Sequence, residues 1–126
     1  MELNDIRDFL NKLVDCEITT HTISRNHQRA LGIYPRRGAT PYDPGVGCHR
    51  FVRVLPVTLL LRWGRNGAEA ERAARELHIA IERAEVEQGI VAPVNDAPVW
   101  VGADERGVFE YTMDVDFYVV GNNPKH

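Results

Sequence analysis

Residues 108–120 alternate strictly. Phe109, Tyr111, Met113, Val115, Phe117 and Val119 fall on one side, and Glu110, Thr112, Asp114, Asp116 and Tyr118 on the other. A period of two marks a strand with one buried and one polar face. Ordering so long a backbone costs at least as much as its apolar face returns. The strand therefore cannot stand alone. It must share that face with the long helix or the longest strand elsewhere in the chain.

Two other segments are candidates to supply that cover. Residues 51–63 are the longest apolar stretch, and both of their alternating faces are largely apolar in the middle, as in a central strand. Pro56 lies inside it and cannot donate to a ladder, which predicts a bulge, a kink or an unpaired edge there. A long helix follows. Asn66 with Glu69 three residues on is a capping pattern with Asn in the Ser/Thr role. Ala70, Ala73, Ala74, Leu77, Ala80, Ile81 and Ala84 then form one apolar stripe, and Gly89 is a candidate terminator.

The rest of the chain fills in around these. Leu3, Ile6, Phe9, Leu10, Leu13 and Val14 recur at helical spacing. Residues 17–23 and 30–34 read as short strands. Residues 36–50 hold glycines and prolines with few apolar residues, a long loop of the kind that usually carries function or disorder. Residues 90–98 read as a connection and 99–101 as a short strand. The polar run at 102–107 is a turn joining that strand to 108–120 as a hairpin. Residues 121–126 form a short flexible tail. The expected fold class is α+β: one domain spanning 1–126, with a mainly antiparallel sheet of about four to five strands and two helices packed on one face.

At 126 residues the chain can bury a core without disulfides or metals. Its formal net charge of −3 argues against a protein whose main task is gripping phosphates. No apolar run approaches the ~20 residues needed to cross a bilayer. The first residues lack the basic region of a secretory signal. Cys16 and Cys48 lack metal-type spacing and read as reduced thiols of a cytoplasmic protein.

Motifs for chemistry are sparse. The sequence has no P-loop, no GxGxxG after a strand, no GxSxG and no HExxH. The histidines His21, His27, His49, His78 and His126 are scattered. Cys16 with His21, or Cys48 with His49, are the sequence-near pairs that could make an activated thiol, against the commoner role of a buried cysteine. Asp114 and Asp116, with Glu110 nearby, could do acid–base work or hold a divalent ion, but such pairs more often form the wet side of a sheet. The expectation is no enzyme, no catalytic residue, no metal and no cofactor.

The order of pieces resembles the tail terminators of tailed bacteriophages, often called minor capsid proteins. The resemblance rests on GIYPRRG at 32–38, on LPVTLLLRWGRNGAEAERAARELHIAIE at 55–82 and on GADERGVFEYTMDVDFYV at 102–119. It implies a small α+β virion subunit that forms a ring, usually a hexamer, at the head-proximal end of the tail tube. Such a ring stops tube polymerisation and joins tail to head. Its partners would be copies of itself, the tail tube protein, a head–tail connector or stopper protein, and double-stranded DNA passing through without specific binding. No membrane is involved, and assembly takes place in the host cytoplasm. Arg36, Arg37, Tyr42 and Arg50 are of types enriched in interface cores. Asp114 and Asp116 on the wet strand face suit a channel that must not hold phosphates. Another neck or connector component of the same particle, or a small enzyme or ligand-binding domain resting on His21, Cys48, His49 or the Asp114/Asp116 pair, are the alternatives.

Overall fold

The computed structural model describes residues 3–23, 28–36, 41–42, 50–88 and 90–122. Two long strands form the spine of the sheet. Strand β4 (Arg50–Trp63) and strand β7 (Phe109–Asn122) pair antiparallel from Arg50↔Asn122 to Arg62↔Glu110. This register places Leu55, Val57, Leu59 and Leu61 beside Phe117, Val115, Met113 and Tyr111 on one face. A slip of one residue would turn every one of these side chains toward solvent, so the shared apolar face itself specifies the pairing.

Strand β2 (Arg29–Pro35) flanks β4 antiparallel, adding Leu31 opposite Leu61 and Ile33 opposite Leu59. Strand β1 (Glu17–Thr20) completes that end of the sheet. Beyond β7 lie strand β5 (Val91–Pro93), against residues 115–117, and strand β6 (Val99–Ala103), against residues 109–112. The two-residue strand β3 (Pro41–Tyr42) pairs with β4 beside Arg53 and Val52.

Helix α1 (Leu3–Asn11) and helix α2 (Gly67–Gln88) both cover the same face. Ile6 and Leu10 from α1 and Ala74, Leu77, Ile81 and Ala84 from α2 join one core with Ile18, Leu31, Leu59, Met113 and Phe117. Phe9 meets Phe117 edge to face at 5.7 Å between ring centres, a favoured aromatic geometry. The cap of α2 is as the sequence suggests: Asn66 Oδ1 accepts from the backbone N–H of Ala68 at 3.0 Å and of Glu69 at 3.2 Å. Gly89 lies outside the described residues.

The α+β class and the two helices on one face agree with expectation, but the sheet is larger and is mixed. Among the described residues it has seven strands, because β3 forms within the segment read as a loop and β5 within the segment read as a connection. The pairing of β1 with β2 is parallel, although the short connection between them would ordinarily favour a hairpin. The first strand ends at Thr20 and not at residue 23, because His21 takes a left-handed backbone conformation (φ 67°) and redirects the chain. The chain then crosses the outer face of β2 at Gly32. A Cβ there would lie 3.2 Å from the Thr22 carbonyl oxygen and 2.8 Å from the Tyr34 ring, so glycine permits the close approach.

Pro56 makes no bulge. Its carbonyl accepts from the Arg36 N–H at 3.0 Å. In a strand the N–H and C=O of one residue share a side, so the missing donor faces the point where β2 ends, and pairing with β7 is undisturbed. Among the described residues no helix is long and apolar enough to cross a membrane.

Candidate functional site

The helix-free face of the sheet carries Thr58 and Arg62 of β4 and Glu110, Thr112, Asp114 and Asp116 of β7. Its centre is an ion-pair cluster that joins three sequence-distant segments. Arg36 follows the last β2 pair, Pro35↔Val57, and so lies in line with Pro56 and Asp116. The guanidinium reaches across Pro56, whose ring has no polar group to compete. Nη2 donates to Asp116 Oδ1, and Nη1 lies 3.3 Å from Asp114 Oδ2. The next row adds Thr58, directly opposite Asp114, whose Oγ1 donates to Asp114 Oδ1 at 2.7 Å. The backbone is held as well, since Asp114 N–H donates to Asn95 Oδ1 at 2.7 Å. Arg36 and Asp116 are each one-quarter exposed, so the cluster is partly screened by water.

Thus Arg36, expected at an interface, and Asp114 with Asp116, expected to face a channel, belong to one cluster. Both carboxylates are paired with the same cation. Tyr42 and Arg50 are placed by backbone register only, opposite Val52 and Asn122. Arg37 lies outside the described residues, as do Cys48, His49 and His27.

A second cluster was not legible in the sequence. Arg62 is fully buried and lies opposite Glu110. Its Nη2 donates to Asp104 Oδ2 at 2.7 Å, and its Nη1 is 3.5 Å from Glu110 Oε2. Asp104 sits in the β6–β7 turn, where its other oxygen accepts from Arg106 N–H at 2.8 Å and Val108 N–H at 3.0 Å. The Val108 N–H, then the Arg62 guanidinium, hold the Asp104 carboxyl down at about 2. The turn aspartate is therefore the anchor of a buried arginine. A cavity of about 530 Å³ lies on this same turn, lined by Ala103, Asp104, Glu105 and Arg106.

Of the two thiol pairs suggested by the sequence, Cys16 with His21 lies among the described residues. Burial, then the neighbouring charges of Asp15 and Glu17, push the Cys16 thiol up to about 11. At neutral pH it is a protonated, weakly nucleophilic group. His21, its sequence-near partner, is exposed at the turn after β1. His78 is buried on α2, with Nε2 2.8 Å from the Asn95 carbonyl oxygen and Nδ1 2.8 Å from Glu82 Oε1. It pins the β5–β6 connection to the helix. Among the described residues no three His, Cys, Asp or Glu side chains are grouped to hold a metal ion.

The remaining unusual surface is β6. Val99, Trp100 and Val101 are 48, 61 and 56% exposed. An irregularity in the β6–β7 register falls between Trp100 and Gly102. A bulge of this kind re-aims side chains, and here consecutive residues are both turned outward. A crevice of about 360 Å³ lies beside it, lined by Glu71, Arg75, Ala97, Pro98, Trp100 and Tyr111. Neither a protein-family model nor a curated protein sequence matches the chain.

Proposed function

We propose that this chain is a structural subunit of a tailed-phage particle: a tail terminator that forms a ring, of six copies in the usual case, at the head-proximal end of the tail tube. It ends tube polymerisation there and joins tail to head. The reading is supported by the family resemblance of residues 32–38, 55–82 and 102–119. The structural observation that carries it is the organisation of the sheet. One face is buried beneath both helices, the other is free of helices, and a strand at each end has no further strand partner among the described residues. That is the form of a wall segment rather than of a vessel around a substrate.

In this reading the helix-free face lines the channel. Asp114 and Asp116 stand on it with their charge partly offset by Arg36. A lumen of that kind repels phosphates weakly and binds none tightly, as sliding DNA requires. Arg37, Tyr42 and Arg50 serve subunit or partner contacts, with Tyr42 and Arg50 placed by register near the start of β4. The tube protein and a connector or stopper protein are the neighbours, and the ring is built in the host cytoplasm before it joins the virion.

The test is to mix the purified chain with the tube protein of the same particle and follow tube length by electron microscopy, with light scattering for the mass of the chain alone. Tubes of arrested length carrying a ring of density at one end are expected. A chain that stays monomeric at high concentration and leaves tube growth unchanged refutes the proposal.

A further inference from the structure

We propose that the exposed edge of β6 is the subunit joint, and that its occupant is β1 of a second copy of this chain, added head to tail. The inference deepens the ring reading and rests on it for the closure of the assembly.

An edge strand presents unpaired N–H and C=O groups and is ordinarily blunted by charge, proline or cover. In β6 the residues that would carry such charge are Val99, Trp100 and Val101, all about half exposed or more. Pairing with β7 uses one side of β6, and among the described residues no backbone hydrogen bond is made from the other. A strand of about five residues is needed opposite. The chain carries one at the far end of the same sheet: β1, four residues long, whose strand partner is β2. Trp100 stands on the α2 side of the sheet, beside Glu71 and Arg75, and on that side β1 presents Ile18 and Thr20, in line with Leu31 and Ile33 of β2.

Geometry favours this mate over a second β6. Two β6 edges meeting about a two-fold axis close a dimer and leave both β1 edges open. A β6–β1 joint is heterologous, uses both edges of every subunit and continues the sheet, which a ring requires. The helices also agree. Helix α1 lies over β1 and α2 over β5 and β7. A head-to-tail joint therefore brings α1 of the incoming copy beside α2, over the crevice where Trp100 and Arg75 stand.

The size of the patch sets how strong the joint is. Its three side chains expose on the order of 300 Å² of apolar surface, well short of the roughly 800 Å² per partner of a stable pair. One joint alone is weak, and a closed ring, in which every subunit has two, is favoured over open dimers. Assembly is then steeply concentration-dependent.

The experiment uses the full chain with Cys16 and Cys48 replaced by alanine, and two variants of it, Val99→Cys and Thr19→Cys, which keep Trp100 in place. Adjacent strands bring Cα atoms within disulfide reach. The mixed variants are expected to give a covalent dimer under mild oxidation, and Val99→Cys alone to give none. In parallel, Val99→Lys with Trp100→Lys is expected to raise the concentration for half-assembly roughly tenfold or more, the effect of losing one aromatic anchor, with an unchanged circular dichroism spectrum. Assembly of the lysine variant at the wild-type concentration overturns the inference, as does cross-linking of Val99→Cys to itself. Self-association through β6 without any capping of tubes sustains the joint and refutes the terminator reading.

Discussion

Replacing Arg36 by alanine removes the cation that, among the described residues, Asp114 and Asp116 share. Two costs follow. The bridging hydrogen bonds are lost from a site about one-quarter exposed, which in partly screened surroundings is worth about 1 kcal/mol. The two carboxylates, two residues apart on one strand face, are then left about 7 Å from each other. Their repulsion at effective dielectric constants of 20–80 is about 0.6–2.4 kcal/mol. The expected loss is about 2–3 kcal/mol, or roughly 6–13 °C in melting temperature for a domain of this size. Urea unfolding followed by circular dichroism at low and at high salt measures it, in a double-mutant cycle with Asp116→Asn. The single Asp116→Asn change should cost less than Arg36→Ala, because Arg36 keeps Asp114. The combined variant should recover part of the Arg36→Ala loss, and added salt should shrink the coupling. A coupling of zero, or one that grows with salt, refutes the reasoning.

Asp104 titrates at about 2 against an ordinary 3.8, so its contribution to stability is complete above about pH 4 and is lost as pH falls toward 2; Asp104→Asn should flatten the acid limb of the stability–pH profile in that window, and an unchanged limb counts against the Arg62–Asp104 anchor. Asn66→Ala removes the acceptor for two N–H groups at the start of α2 and should cost about 1 kcal/mol in chemical denaturation, with Asn66→Asp close to neutral. Cys16, pushed up to about 11, should react with iodoacetamide at pH 8 far more slowly in the native chain than in urea; equal rates, read by mass spectrometry of the Cys16 peptide, would show that the thiol is not protected.

Much of the architecture was legible in residue patterns. The period-two run at 108–120 announced β7 and its buried face, because alternation records which side of a strand meets a core. The pairing of residues 51–63 with that strand followed from two long apolar faces that could satisfy each other. Asn66 and Glu69 announced the start of α2, since a cap is a bond between near neighbours. The turn at 102–107 announced the hairpin. Other features escaped because their cause is not local. The strands β3 and β5 are two and three residues long, too short for a period to register, and exist because β4 and β7 offer them an edge. The parallel β1–β2 pair depends on His21 turning the chain and on Gly32 admitting the crossing segment.

The candidate site divides along the same line. The wet face holding Asp114 and Asp116 was visible as an alternation, and Arg36 as a residue fit for contacts. That they bind each other across 80 positions of sequence follows only from β2 ending beside Pro56. Arg62 looked like a polar residue at the end of a strand, and its burial comes from the turn aspartate folding over it. The apolar run 99–101 looked like any short strand, and its exposure comes from β6 lying at the sheet's edge. By itself the amino-acid sequence determined the longer elements and their inward faces, because periodicity, caps and turns act between residues a few positions apart. Strand order, the ion-pair partners and the open edge were decided by tertiary structure alone, because each depends on which distant backbone becomes a neighbour.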